Sequence, residues 1–327
     1  MSPQYNAQTT ASELVAEFAS SIKGKTILIT GVSPGGLGAV FATAVAKASP
    51  GLLIFAGRSV ARAAETANAI AKLYPNVQTR ALHLDLGSLQ AVRDAAATVH
   101  AWDDIPAIDV LVNNAGIMAV DYGLSPDGVE LQFATNHLGH YLLTNLLMNK
   151  ILAAEAPRVV CLSSDGHRFG HVRFDDYNFD GGKTYNKWTA YGQSKTANML
   201  MAVSLATKLG PKGLLAFSVH PGVIATNLAR DIAGEDDLEL LKATDKSLGN
   251  KEGWRTGVEF KSQDQGAATT VFAAFSHDLK AHNGAYLKDS HVADPWTETV
   301  KPWATSPVEA ERLWKLSEKL VDQEFDY

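Results

Sequence analysis

The sequence predicts an α/β fold built on one doubly wound parallel sheet, and three observations lead to this prediction. Short apolar runs such as 25–30, 52–57 and 109–112 recur along the chain, as expected for strands that are buried on both faces. Segments with helical spacing separate these runs. The alternation begins at Lys25 and continues through most of the chain, which favours a Rossmann-type sheet of about seven strands with helices on both faces.

The predicted elements follow in order. Strands are predicted at about 25–30, 52–57, 80–84, 109–112, 158–162, 214–219 and 284–287. Helices are predicted at about 39–46, 60–73, 88–101, 127–150, 264–276 and 307–321, and a further helix carries Tyr191 and Lys195 to about Leu209. Ser88 can cap the helix that follows it, because its hydroxyl can accept a free amide of the first turn.

The chain is expected to form a single domain over 25–327, since no shift in composition and no internal repeat marks a second one. Residues 1–24 are expected to hold a disordered polar tail, about 1–10, followed by a short helix. Residues 223–262 fall outside the repeating pattern and mix acidic with apolar side chains. We predict a flexible helical flap over this segment.

Composition limits the classes of function. A net charge of −6 without a dense Lys/Arg run argues against a nucleic-acid surface. No apolar run approaches the ~18 residues that would span a membrane. The polar start of the chain lacks the apolar core of a signal peptide. The single cysteine, Cys161, allows no internal disulfide, and we expect a cytoplasmic protein.

A glycine-rich loop joins the first strand to the first helix of the sheet. Gly31, Gly35, Gly36 and Gly38 lie between the apolar strand ending at Thr30 and an alanine-rich helical segment. In this context glycine permits a tight turn and lets the backbone approach a diphosphate, which the helix N-terminus then receives. Glycine-rich turns also join strands to helices that bind nothing. The context favours dinucleotide binding.

The residue after the second strand bears on the choice of dinucleotide. At this position an acidic residue favours NAD, whereas an arginine accommodates the 2′-phosphate of NADP. Arg58 stands there, with Arg62 one helical turn further on. Arg58 could instead simply begin a solvated helix. We interpret the pair as a preference for NADP(H).

Tyr191 and Lys195 are four residues apart and share one face of the predicted helix. A phenol loses its proton near pH ~10, and a neighbouring ammonium lowers that value. Reaching about 7 requires roughly 4 kcal/mol, at about 1.36 kcal/mol per pH unit. This requires a second cation or a desolvated site. The alternative is a packed ring beside a solvated amine.

Taken together, these residues resemble the short-chain dehydrogenase/reductase superfamily from about Lys25 to Leu287. The motifs that match in the family's order are Thr30-Gly31 with its loop, Asn113-Asn114-Ala115-Gly116, Asn136, Ser164, Tyr191-x-x-x-Lys195 and Pro221-Gly222. The chain is most similar to the branch of retinol dehydrogenases, WW-domain oxidoreductases and protochlorophyllide reductases, including fungal members of secondary metabolism. Three features carry this assignment, namely Ala56-Gly57-Arg58, the 27-residue gap from Ser164 to Tyr191, and Gln265-Gly266-Ala267-Ala268.

One departure from the family pattern concerns the glycine loop. The family spacing is Thr-Gly-x-x-x-Gly-x-Gly, and here four residues separate Gly31 from Gly36. The loop is therefore one residue longer. Gly36 and Gly38 are expected to take the family's last two glycine positions, with Pro34-Gly35 absorbing the extra residue. The loop lacks the basic residue common in NADP-dependent members, so the NADP(H) prediction depends on Arg58.

The resemblance implies a catalytic tetrad of Asn136, Ser164, Tyr191 and Lys195. Tyr191 would be the general acid or base, and Lys195 would bind the nicotinamide ribose and lower the pKa of Tyr191. Ser164 would donate to the substrate oxygen, and Asn136 would hold a proton-relaying water. Cofactor contacts are implied at Gly31, Ser33, Gly36, Leu37, Gly38, Arg58, Asp85, Leu86, Asn113, Ala115, Gly116, Tyr191, Lys195, Pro221, Gly222, Val223 and Thr226. No metal is expected, because His167, His171 and His220 lack metal-ligand spacing.

The expected function is an NADP(H)-dependent oxidoreductase acting on a carbonyl or alcohol of a bulky lipophilic or secondary-metabolite substrate. Substrate contacts are expected from Met118, 165–190 and 223–262. Five of the aromatic side chains there, Phe169, Tyr177, Phe179, Trp188 and Trp254, fit either a substrate pocket or a satellite core. Epimerisation, dehydration or C=C reduction by the same tetrad, and a non-catalytic NADP sensor, are the alternatives. Family members pair through the helices of Asn136 and Tyr191, and those with long C-terminal segments can be monomers, so a monomer or a homodimer is expected.

Overall fold

The computed structural model describes residues 5–232, 234–257 and 259–327, and a largely parallel sheet lies at its centre. Its strands are β1 (Thr26–Thr30), β2 (Leu52–Gly57), β3 (Gln78–His83), β4 (Val110–Asn113), β5 (Arg158–Leu162), β6 (Leu215–His220), β7 (Tyr286–Lys288) and β8 (His291–Val292). They lie in the order β3-β2-β1-β4-β5-β6-β7-β8. Every neighbouring pair from β3 to β7 is parallel, and β8 is antiparallel to β7. The predicted doubly wound sheet is confirmed.

Helices cover both faces of this sheet. They are α1 (Ala11–Glu17), α2 (Ala19–Ile22), α3 (Leu37–Ala46), α4 (Val60–Leu73), α5 (Leu89–His100), α6 (Leu131–Phe133), α7 (Gly139–Leu146), α8 (Met148–Leu152), α9 (Lys187–Leu209), α10 (Glu235–Ser247), α11 (Gln263–Phe275) and α12 (Pro307–Val321). Apolar side chains of α5, α7, α9 and α12 form the core on one face, and those of α1, α3, α4 and α11 form it on the other. Within the described ranges, no helix has both the length and the apolar character to cross a bilayer.

The helix predicted at 127–150 begins later and is not regular. The Ser125 hydroxyl accepts from the amides of Asp127 and Val129, which forms a turn where the helix was expected to start. The chain then passes through α6 into a π-turn, Ala134–Leu138, before α7 and α8. Spacing of apolar residues cannot reveal this, because main-chain bonds of a π-turn run five residues apart within an otherwise helical pattern.

The two ends of the described chain pack on the sheet domain. The tail was expected to be disordered over 1–10, and residues 1–4 lie outside the described part. From Tyr5 onward the tail is packed, with the Tyr5 ring 5.4 Å from that of Phe272. At the other end α12 brings the Trp314 ring to 5.0 Å from Tyr141, and the Phe325 ring lies 5.8 Å from Tyr141. The C-terminal segment therefore covers the outer side of α7 and α9.

The segment 223–262 is partly helical, and its helix α10 is anchored to the start of α9. Arg168 forms a bidentate ion pair with Asp245, with both N–O distances at 2.8 Å. Lys187 lies 3.0 Å from Asp237, and the Trp188 indole donates to the Asp237 main-chain oxygen at 3.0 Å. These contacts fix α10 beside the helix that carries Tyr191 and Lys195.

Candidate active site

Most of the sequence-predicted site residues meet at one edge of the sheet. The loops after β1, β4, β5 and β6 all leave from the carboxyl ends of the strands. They contain the glycine loop, Asn114–Gly116, Ser164 and Pro221-Gly222. The strand order reverses between β1 and β4, and a ligand crevice forms at such a switch point in open α/β sheets.

The glycine loop packs closely against the end of β4 and against its own backbone because its glycines lack side chains. A Cβ at Gly31, where φ is +74°, would lie 2.8 Å from the Ala115 Cα, and one at Gly38 would lie 2.5 Å from the Gly31 oxygen. Gly36 caps α3 without a side-chain hydrogen bond, and the first turn of α3 holds no acidic residue. An anion is therefore favoured at this helix N-terminus.

Pro34 and Gly35 form a tight turn, at the place where a bulge was expected to absorb the extra residue of the loop. The Gly36 amide donates to the Ser33 oxygen at 3.0 Å and closes a four-residue turn. Proline at its second position and a glycine with φ +78° at its third are the features of a type II turn. The Asn227 side chain donates to the Pro34 oxygen at 2.9 Å, so the 223–262 segment contacts this turn.

The side chains of Asn113 and Asn114, at the end of β4, make different contacts, and the sequence did not predict this difference. Asn114 donates to the oxygens of Thr30 and Gly31 at 2.7 and 3.0 Å, and so fixes the start of the glycine loop. The Asn113 side chain is buried and donates to Thr144 at 2.9 Å. Only the main chain of Asn113 is left for a cofactor contact. The cofactor contact at Asn113 stays a prediction. The role of Asn114 in fixing the glycine loop was not predicted, because two adjacent asparagines at a strand end do not show which protein groups each one bonds.

The remaining predicted cofactor residues lie around the same crevice. Arg58 is exposed directly after β2. After β3, the Asp85 carboxylate accepts from the Gly87 amide at 3.0 Å, and Leu86 is buried. Beyond Pro221, a Cβ at Gly222 would lie 2.6 Å from the Lys261 side chain. Four further residues, half-buried or exposed, complete the set: Ser33, Leu37, Val223 and Thr226.

Tyr191 and Lys195 lie together on α9 in a buried site. The Lys195 Nζ is 5.5 Å from the Tyr191 ring centroid and donates to the Leu162 oxygen at 3.1 Å. Tyr191 is 4% exposed and Lys195 3% exposed. Gly166 borders the phenol, since a Cβ there would lie 2.8 Å from the Tyr191 ring and 3.2 Å from the Ser164 hydroxyl.

Burial shifts both groups toward their neutral forms. It raises the pKa of Tyr191 to about 12, and the hydrogen bond with Ser164 only partly opposes this. Burial lowers the pKa of Lys195 to about 8. Desolvation therefore does not help to ionise the phenol, and this part of the sequence-based reasoning was wrong. A further positive charge has to supply the stabilisation of a phenolate.

Asn136 lies on the π-turn and reaches the same site. Its side chain accepts from the Ile117 amide at 2.8 Å and donates to the Ile117 oxygen at 2.9 Å and the Ser194 hydroxyl at 2.9 Å. A Cβ at Gly116 would lie 3.1 Å from the Asn136 Oδ1 and 3.5 Å from the Lys195 Nζ. The loop after β4 therefore places Asn136 next to the amine.

Most of the aromatic side chains in question pack inside the protein, and Phe169 and Trp188 belong to a small cluster apart from the main core. Phe169, Phe179 and Trp188 are buried, and the rings of Phe169 and Trp188 lie 6.1 Å apart. Tyr177 packs 6.4 Å from the ring of Phe133. Of the five, Trp254 alone is largely exposed, at 62%. The structure thus favours the core interpretation for the other four.

The histidines near the site make structural contacts. The ring of His167 bonds to the Ser164 oxygen at 2.7 Å and accepts from the Lys301 amide at 3.1 Å. His220 lies 3.6 Å from the Asp165 carboxylate, and His171 packs edge-on against Trp303, 6.5 Å away. Across the described residues, no group of three or more His, Cys, Asp or Glu side chains is arranged to hold a metal ion.

Comparison with known proteins extends the similarity beyond the site. The short chain dehydrogenase family model matches residues 25–237. Short-chain dehydrogenase/reductase prx1 of Penicillium rubens is 38% identical over 312 residues, which cover 92% of this chain and 86% of that protein. Human retinol dehydrogenase 14 is 36% identical, with 91% and 86% covered. A crystal structure of an uncharacterised Mycobacterium paratuberculosis protein gives a TM-score of 0.68 at 32% identity, over 94% of this chain and 98% of that one.

The burial of the Lys195 amine leads to a prediction about the stability of the fold. The pKa of Lys195 falls from 10.5 to about 8 on folding, so the cost of burying its charge is complete below pH 8 and disappears as pH rises to 10.5. We expect Lys195→Met to raise the unfolding free energy at pH 7 by roughly 1–3 kcal/mol, and by less at pH ~9.5. Urea unfolding at both pH values measures this. Lys315→Met, at a side chain 72% exposed, is the control and should change little. A destabilised Lys195→Met protein at pH 7 would contradict the prediction.

Proposed function

This chain belongs to the short-chain dehydrogenase/reductase family, and we propose that it moves hydride between NADP(H) and a carbonyl or alcohol group of a bulky lipophilic substrate. The family uses NAD(P)H, and the tetrad beside the glycine loop carries the proposal. Tyr191 and Lys195 share a buried turn of α9, with Ser164 against the phenol and Asn136 near the amine. This set offers a proton, an oxyanion donor and a cation at one place.

The residues of the crevice fit a dinucleotide. Gly31 and Gly38 allow the loop backbone to pack more closely than a Cβ would permit, and the uncapped start of α3 favours the diphosphate. Lys195 would hold the nicotinamide ribose, and the strand-end loops carrying Ala115 and Gly222 would border the ring. When bound, the cofactor supplies the hydride and, in its oxidised form, a positive charge.

In this proposal each side chain has a separate task. During reduction the Tyr191 phenol gives its proton to the substrate oxygen, and the Ser164 hydroxyl donates a hydrogen bond to the same oxygen while negative charge develops there. Lys195 stabilises the phenolate that results. Asn136 would hold the proton-relaying water beside the Lys195 amine. Its side chain is fixed by bonds to Ile117 and Ser194.

The choice of NADP(H) over NAD(H) rests on Arg58. We expect wild type to bind NADPH more tightly than NADH, because an exposed guanidinium after β2 can pair with the 2′-phosphate. Arg58→Ala should weaken NADPH binding about tenfold to hundredfold, the loss of a charge-assisted bond, and leave NADH binding unchanged. Fluorescence titration with both nucleotides measures this. Arg312→Ala, an exposed arginine paired with Glu309, is the control. Tighter binding of NADH than of NADPH by wild type would contradict the proposed preference for NADP(H).

Turnover tests the tetrad. A panel of lipophilic aldehydes and ketones, with all-trans-retinal included because human retinol dehydrogenase 14 is a relative, should yield an NADPH-consuming substrate. With that substrate, Tyr191→Phe should lower kcat about 10²- to 10⁴-fold and Ser164→Ala about 10²- to 10³-fold. Ser164→Ala should bind NADPH within about twofold of wild type, since Ser164 is not among the expected cofactor contacts. Undiminished turnover by Tyr191→Phe would show the assignment to be wrong.

We also infer that the protein is a monomer. Family members that pair do so through the helices of Asn136 and Tyr191, and here α12 and the tail after it cover those helices. Trp314 packs on Tyr141, and the Tyr327 hydroxyl donates to the Asn145 oxygen at 3.4 Å. Light scattering during size-exclusion chromatography should give a mass near 35.0 kDa. A mass of twice that value at micromolar concentration would contradict the inference.

A further inference from the structure

His140 bridges two parts of the site that lie on different elements. Its Nε2 is 2.8 Å from the Thr30 hydroxyl at the end of β1. Its Nδ1 is 2.9 Å from the main-chain oxygen of Asn136 on the π-turn. His140, Thr30 and Asn136 are all buried. One imidazole thus connects the strand that leads into the glycine loop with the turn that carries a tetrad residue.

Donor counting assigns the tautomer of this ring. The Thr30 hydroxyl accepts from the Asn114 amide at 3.0 Å and the Ala115 amide at 2.9 Å, which uses both of its lone pairs. Its proton must therefore point to the His140 Nε2. A neutral imidazole that accepts at Nε2 carries its proton on Nδ1, and this proton is donated to the Asn136 oxygen. Burial lowers the pKa of His140 to about 4, which keeps the ring neutral.

Each end of the bridge is itself part of the site. At one end the Thr30 hydroxyl fixes the amides of Asn114 and Ala115, and Asn114 in turn donates to the main-chain oxygen of Gly31 at 3.0 Å. At the other end the Asn136 carboxamide bonds to the loop residue Ile117 from both of its ends. The ring lies between these two anchoring points and is bonded to both.

Resting on the proposed function, we propose that His140 is a positioning residue that holds the Asn136 π-turn against the start of the glycine loop. It touches neither substrate nor cofactor. It sets the placement of the β1 end, and through that end the placement of the loop that receives the dinucleotide. A bond of this kind to an otherwise satisfied hydroxyl cannot be replaced by packing alone, because the buried Thr30 proton would be left without an acceptor.

Two conservative variants separate the bonds. In His140→Gln the carboxamide reaches the Nε2 position and keeps an acceptor for Thr30. In His140→Asn it reaches only the Nδ1 position, so the bond to the Asn136 oxygen is kept and the Thr30 bond is lost. His140→Phe loses both bonds while retaining a ring. His137→Gln is the matched control, because His137 is a buried histidine of the same helical stretch whose Nε2 bonds to Ser317 on α12, 2.9 Å away.

NADPH titration followed by fluorescence gives the first readout. We expect Kd to stay within about twofold of wild type for His137→Gln and to rise about threefold to tenfold for His140→Asn, the effect of one buried hydrogen bond. His140→Phe, which loses both bonds, should raise Kd at least as much, and His140→Gln, which keeps the Thr30 bond, should raise it less than His140→Asn. If the role of His140 were only structural, NADPH affinity would fall in proportion to the loss of Tm in every variant, including the control His137→Gln. That result, or unchanged NADPH affinity in His140→Asn, would overturn the inference. A wild type that binds no NADPH would overturn the proposed function as well.

Nitrogen NMR of the histidine rings gives a second readout that needs no ligand. The resonances assigned by their loss in His140→Gln should show a protonated Nδ1 and an unprotonated Nε2. In Thr30→Val, which removes the hydroxyl at nearly constant volume, the Nε2 resonance should move to the position of an unbonded nitrogen. Two results would overturn the assignment: a His140 ring protonated at Nε2 in wild type, or an Nε2 resonance that does not change in Thr30→Val. Both can be observed even if one of the other variants fails to fold.

Discussion

The site depends on one constraint, which is that an amine and a phenol are buried within one turn of α9. Burial alone pushes the pKa of Tyr191 to about 12 and that of Lys195 to about 8, so each group is driven away from its charged form. The Leu162 oxygen is the hydrogen-bond acceptor of the amine. The remaining stabilisation must enter with a ligand. In the proposed mechanism the neutral phenol can give its proton during reduction, whereas the phenolate that oxidation needs depends on a further positive charge.

Much of the fold could be predicted because local signals coincide with element ends. The bounds of α4 and α12 agree with those expected, since Ser59 and Ser306 cap these helices in the way their sequences indicate. Several of the motifs, namely the glycine loop, Asn113–Gly116, Ser164 and Pro221-Gly222, also lie where parallel strands end. The strand β8 was not predicted, because two residues are too few to show the alternation of apolar and polar side chains that marks a strand. It follows β7 after a hairpin turn through Asp289 and Ser290.

The sequence could not predict features of the site that depend on contacts between distant parts of the chain. Asn113 and Asn114 are chemically identical neighbours, and the sequence does not show that Asn113 bonds to Thr144 while Asn114 bonds to the oxygens of Thr30 and Gly31. The π-turn at Asn136 preserves the apolar pattern of a helix while changing which side chains face the loop after β4. Phe169 and Trp188 look like pocket residues until their burial is known. In each case the deciding partner is distant along the chain.

The anchoring of α10 has a consequence for recombination of this enzyme with its relatives. The ion pairs that hold the helix join residues inside 223–262 to Arg168 and Lys187, which lie outside it. The segment is therefore not an independent cassette. A chimera that imports a foreign 223–262 would remove the acidic partners that the segment gives to Arg168, in the turn after β5, and to Lys187, at the start of α9. Exchanges meant to alter substrate range have to move three pieces together: the turn after β5, the first turn of α9, and the segment itself.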